Sequence, residues 1–181
     1  SWLGRELGKE FEHFLEINFE KLPDLCAFFQ GNLDVHAISK NIANYFSATI
    51  IPGKTLLFLD EIQVCPRAIL ALRYFYEDFP QLHVIAAGSL LEFELEKISV
   101  PVGRISFLYV YPMTFSEYLT AAGKENLRHM LLENNYNPVP EPLHKLLENE
   151  IKNYTLTGGL PEVVDDYIQF QDLARCKDIQ A

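Results

Sequence analysis

The chain has 181 residues, 49% apolar and 22% charged, an ordinary globular composition with length for one domain with a proper core, or one domain plus an appendage. Its 15 Lys and Arg against 25 Asp and Glu give a net charge of −10, which argues against nucleic-acid binding through a broad basic surface and leaves only a local site open. No apolar run approaches the roughly 18 residues of a membrane span, the five histidines lack zinc-ligand spacing, and the odd, widely spaced Cys26, Cys65 and Cys176 fit a reducing cytoplasm better than a disulfide framework.

The N-terminal SWLGRELGKEFEHF is neither a secretory signal nor an initiator start, and without Met at position 1 the chain reads as cut out of something longer. Residues 1–8 read as the end of a helix with Gly8 as its stop. FEHFLEINF (11–19) alternates and is rich in aromatics, which predicts a strand. Over 21–48, apolar positions at helical spacing predict helices broken near Gly31–Asn32. TLLFLD (55–60), an unbroken apolar run behind Pro52–Gly53, predicts a strand buried on both faces. PRAILALRYFYEDF (66–79) predicts a helix with Pro66 in its first turn. LHVIAAGS (82–89) predicts a second buried strand, SLLEFELEK (89–97) a short helix, and RISFLYVYP (104–112) a third strand. TFSEYLTAAG (114–123) opens with the capping-box pattern Thr114-x-x-Glu117 and closes on Gly123.

The most linker-like stretch is NNYNPVPEP (134–142); it separates a core over 1–133 from a helical C-terminal region over 134–181. There, residues 142–159 predict a helix stopped by a glycine pair, and residues 160–180 predict another. Strands alternating with helices imply right-handed crossovers and a mostly parallel sheet, an α/β fold. Ligands in such sheets bind at the carboxyl ends of the strands, so the residues that end each strand carry the chemistry.

Two nucleotide signals adjoin in IIPGKTLLFLDEIQ (50–63). The phosphate loop G-x-x-x-x-G-K-[ST] requires glycine where Ala48 stands, and it must lead from a strand into a helix, whose N-terminus holds the phosphates. Pro52-Gly53-Lys54-Thr55 leads into a strand instead, and reads as a turn. Asp60–Glu61 differs: an apolar strand runs straight into two carboxylates whose side chains point opposite ways. The first suits Mg²⁺, a hard cation, and the second can orient or deprotonate an attacking water. A strand end that simply meets solvent carries the same residues, and both readings stand at this point.

Ser89, ending the neighbouring strand, can contact a γ-phosphate or the attacking water; it can equally cap the following helix. Arg104, beside Gly103, can stabilise phosphoryl charge or be a surface arginine. Candidate site residues are thus Asp60 for metal and cofactor, Glu61, Ser89 and Arg104 for catalysis, and Ser89 also for the nucleotide.

The segments LLFLDEIQ (56–63), ALRYFYEDFP (71–80), VIAAGSLLEF (84–93), GRISFLYVYPMTFSEYL (103–119) and GGLPEVV (158–164), in this order, resemble the bacterial and archaeal AAA-type P-loop ATPases that carry an extra C-terminal domain of unknown function. The likeness spans about residues 11 to 168. It implies a parallel-sheet P-loop fold with helices on both faces and a C-terminal helical segment. Asp60 and Glu61 match the family's Walker B acids, Ser89 its sensor-1 position, and Arg104 its Gly-Arg before the last core strand. ATP and Mg²⁺ follow as ligands. The family's Walker A loop is expected ahead of residue 1 and its strand in the centre of the sheet, so this chain alone is expected to be inactive and prone to self-association. The alternatives are a non-catalytic interaction module on the same fold and a DNA-linked regulatory ATPase, the latter without support from the charge.

Overall fold

The computed structural model describes residues 2–89, 103–134 and 137–180. The helix predicted over 89–97 falls almost wholly outside them. Contacts divide the chain into two units, 1–107 and 108–181. The sequence places its linker later, at 134–142, which lies inside the second unit.

In the first unit three parallel strands lie in the order β1 (His13–Asn18), β2 (Thr55–Asp60), β3 (His83–Ala86). Helices α1 (Trp2–Gly8), α2 (Val35–Tyr45) and α3 (Pro66–Asp78) cover the two faces, with a 3₁₀ helix at Pro23–Phe29 and a 3₁₀ turn at Ile62–Val64. All six residues of β2 are buried, as an unbroken apolar run between two covered faces requires. Alternation sorts them. Leu57 and Leu59 join Leu15 and Ile17 against Ile38 and Ile42 of α2 and Ala68, Ile69 and Phe75 of α3. Each leucine, isoleucine and phenylalanine among them contributes about 1.5–3 kcal/mol on burial. Phe14 and Phe58 stack at 6.2 Å on the opposite face.

That second face explains the glycines of α1. A Cβ on Gly4 would lie 2.8 Å from the Phe58 ring, and one on Gly8 would lie 2.4 Å from the Phe14 ring. Gly8 ends the helix as expected, yet it is absent from the positive-φ residues, so close approach to Phe14 is what demands glycine there.

The strand expected over 104–112 does not form. Residues 103–104 turn and 105–114 have no regular structure, with Leu108, Val110 and Tyr111 each more than three-quarters exposed. The run has β-favouring composition, but such preference is realised only against a neighbouring strand, and no described strand pairs with it. β3 is also less enclosed than its sequence implies, exposed at His83 and half-buried thereafter.

The second unit is helical: α4 (Phe115–Ala121), α5 (Glu125–Glu133), α6 (Glu141–Thr157), α7 (Pro161–Phe170) and α8 (Leu173–Gln180). The expected capping box is complete. Glu117 N donates to Thr114 Oγ1 at 3.3 Å, and Thr114 N donates to Glu117 Oε2 at 2.7 Å, holding that carboxyl below its ordinary range. Tyr118, Leu119, Leu127, Leu147 and Val164 form the core. The single helix expected over 160–180 is two, broken at Gln171 in the left-handed region at φ 53°.

Candidate functional site

The carboxyl ends of β1 and β2 bring two polar side chains together. Asn18 and Asp60 end β1 and β2 as directly paired residues. Asn18 Nδ2 donates to Asp60 Oδ2 at 2.9 Å, and Phe19 N donates to Asp60 O at 3.0 Å. Asp60 is only 2% exposed. A carboxylate so placed is retained only with hydrogen-bonded or charged partners. From α1, Arg5 forms a two-pronged pair with Glu16 at 2.6 and 2.8 Å. Hydrogen bonding and charge from Glu16, with a further contribution from the charge of Asp60, hold the Arg5 guanidinium above its ordinary value.

Glu61 follows with φ 53° and ψ 44°, a left-handed conformation that costs a non-glycine residue about 1–2 kcal/mol. The flanking ladder enforces it: Ala87 N donates to Leu59 O at 2.9 Å, and Ile62 N donates to Ala87 O at 3.1 Å, locking the chain on both sides of the acids to the end of β3. Buried Ile62 then anchors the 3₁₀ turn. The outcome is that adjacent acids take different environments, Asp60 buried and Glu61 half-buried.

Gln63 links this turn to the next strand tip. Its Nε2 donates to Glu61 Oε2 at 2.7 Å and reaches Ser89 Oγ at 3.4 Å. Its Oε1 is the one buried side-chain oxygen among the described residues with no hydrogen-bond partner. An unsatisfied acceptor costs about 1–3 kcal/mol, so such a group calls for a reason other than stability.

The structure therefore brings Asp60, Glu61 and Ser89 to one end of the sheet. It does not bring Arg104 there. Arg104 Nε donates to Glu77 Oε1 at 2.5 Å, in the last turn of α3, and Glu77 also accepts from Arg73 at 3.0 Å. Burial pushes the Glu77 carboxyl up, but the two guanidinium groups together bring it below its ordinary value. Helix rise puts Glu77 about 16 Å along α3 from Pro66, away from the acids. The GKT stretch is likewise remote: residues 52–54 are a turn at the opposite end of β2, about 20 Å from Asp60 by strand rise. Lys54 pairs there with Glu12 at 2.8 Å.

Asn18 and Gln63 are not among the site residues expected from the sequence. Asn18 carried a usable signal, since it ends a strand. Gln63 carried none beyond its place in DEIQ, because the 3₁₀ turn that folds it back is not visible in the sequence.

Residues 1–119 match the family described as AAA domain. The chain belongs to that family. Neither the curated proteins nor the solved structures include a match. The AAA domain gives the parallel sheet and its strand-tip acids a shared context, that of an ATPase-like, nucleotide-binding domain. Mg²⁺, the usual companion of ATP, takes one or two carboxylates, with waters and phosphate oxygens completing its shell. The Asp60 carboxylate fits that demand in donor type. Among the described residues no group of three or more His, Cys, Asp or Glu side chains forms a complete cage, which Mg²⁺ does not need. No described helix is long and apolar enough to cross a membrane.

Proposed function

We propose that this AAA domain binds and hydrolyses Mg-ATP at the tips of β2 and β3. Asp60 would hold Mg²⁺, which supplies charge neutralisation on the phosphates. Glu61 orients the attacking water and takes its proton. Ser89 donates its hydroxyl to the terminal phosphate. Arg5, paired with Glu16 and sensing the Asp60 charge more weakly, adds positive charge from α1. The observation that carries the reading is the Glu61–Gln63–Ser89 bridge, which ties a candidate base to a candidate phosphate contact across two strand ends.

The amides and lysine that cradle phosphates are not supplied by residues 52–55, which face the other end of the sheet. We infer that a Walker A strand and loop from outside these 181 residues completes the site, and that the 181-residue chain alone neither binds Mg-ATP tightly nor hydrolyses it. The exposed apolar run Phe107–Tyr111 favours self-association, and three free cysteines favour the cytoplasm.

Calorimetric titration with Mg-ATP tests the proposal. Affinity weaker than micromolar is expected for the 181-residue chain. In a chain extended to include the Walker A loop, binding should tighten, depend on Mg²⁺, and weaken in Asp60→Asn. Binding to the extended chain that is indifferent to Mg²⁺ and to Asp60→Asn would contradict the metal role.

A further inference from the structure

We propose that Gln63 is the positioning residue of this site: its side-chain amide holds the Glu61 carboxylate and the Ser89 hydroxyl together, so that a phosphate oxygen taken up at Ser89 is felt at Glu61. The inference deepens the Mg-ATP reading and rests on it for the identity of the phosphate.

The geometry is specific. An amide nitrogen has two N–H groups and no capacity to accept. One points to Glu61 Oε2 at 2.7 Å, a charge-assisted bond of ordinary short length. The other is left for Ser89 Oγ at 3.4 Å, a long contact with room to tighten. A hydroxyl that receives an N–H keeps its own proton free to donate, so Ser89 can bind a phosphate oxygen without releasing Gln63. Polarisation along such a chain strengthens each bond in it. The link therefore runs from phosphate to Ser89, to Gln63, to the carboxylate that handles the water.

Packing does not account for this arrangement. Gln63 Oε1 is buried and unpartnered. A leucine of similar reach would remove that oxygen, fill the space, and leave half-buried Glu61 open to water. Such an oxygen is tolerated where side-chain direction is the property maintained. The same argument makes Gln63 the one polar member of the turn, since Ile62 and Cys65 are buried apolar anchors.

The test uses the 181-residue chain and nuclear magnetic resonance. The Gln63 side-chain amide resonance is assigned by its disappearance in Gln63→Leu. It should shift upfield in Glu61→Ala, which removes its charged acceptor, and move again in Ser89→Ala. Millimolar Mg-ATP should shift it in the wild type and fail to do so in Ser89→Ala. Gln63→Leu should melt at or above the wild-type temperature. An amide resonance indifferent to Glu61→Ala, or a large drop in melting temperature for Gln63→Leu, would overturn the positioning role and leave a structural one. If the amide answers to Glu61→Ala and Ser89→Ala while Mg-ATP moves no resonance at residues 60–63 or 87–89 of the loop-extended chain, the positioning link stands and the Mg-ATP reading fails. In the loop-extended chain, Gln63→Leu should lower kcat about 10- to 100-fold at unchanged KM, the scale of a displaced catalytic group. In a Glu61→Gln background it should have no further effect, and additive losses would count against the link.

Discussion

Glu61→Gln, in a chain extended to include the phosphate-binding loop, is expected to retain ATP and to lose turnover by about 10²-fold or more, the scale of general-base loss. Glutamine preserves the length and the acceptor oxygen that Gln63 Nε2 reaches at 2.7 Å, so the turn at Ile62–Val64 should persist. What it cannot do is take a proton. Asp60, buried and paired with Asn18, would remain to hold Mg²⁺. Single-turnover hydrolysis at saturating Mg-ATP, read beside nucleotide occupancy, separates the two effects. Wild-type turnover would remove Glu61 from the chemistry, and loss of occupancy would make it a binding residue.

Glu150→Ala is expected to destabilise the helical unit by about 2–4 kcal/mol. Glu150 is 5% exposed on α6, contacts the Lys124 ammonium, and accepts from Tyr118 Oη at 3.4 Å. Removing one member of a buried pair typically costs about 3–5 kcal/mol. Here the Lys124 side chain is 36% exposed and can recover hydration, which lowers the figure. Tyr118, 1% exposed, loses its acceptor as well, a cost of about 1–3 kcal/mol. Burial first, and then the Glu150 charge, push the Tyr118 phenol well above its ordinary value, so it stays a neutral donor throughout the physiological range. Chemical denaturation followed by helical circular dichroism measures the change. An unaltered midpoint would show that Glu150 and Lys124 meet as freely in solvent as any surface pair.

Strands and helices were legible where a single force decides them. β2 forms over the predicted Thr55–Asp60, because an unbroken apolar run has no stable place except between two covered faces. α3 begins at Pro66, whose fixed φ suits a first turn. The capping box at Thr114 and Glu117 is local chemistry and formed as read. Elements that depend on a partner or a weak signal were not legible. The run 105–111 has strand composition and no described strand to pair with. Helix α5 at Glu125–Glu133 buries Leu127 alone and has no side-chain cap at its start, so no residue pattern marks it. The break at Gln171 uses a left-handed residue that is not glycine.

The candidate site divides the same way. Asp60 and Glu61 are visible as the end of a buried strand, and Ser89 as the end of its neighbour. Their connection is not, because it runs through Gln63, two residues into a 3₁₀ turn, and through a left-handed Glu61 that only the ladder between Leu59, Ile62 and Ala87 enforces. Arg104 shows the converse. Its sequence neighbours suggested a phosphate contact, but pairing with Glu77 is decided by where α3 ends.

The central claim is that nucleotide phosphate meets this chain at the tips of β2 and β3 and not at the GKT turn. Paramagnetic broadening by Mn²⁺-ATP locates the metal directly, even when binding is weak. The account predicts the strongest broadening at backbone amides of Asp60–Gln63 and Ala87–Ser89, with Gly53, Lys54 and Thr55, about 20 Å away by strand rise, affected far less. Strong broadening at 53–55 with the strand tips spared would contradict it.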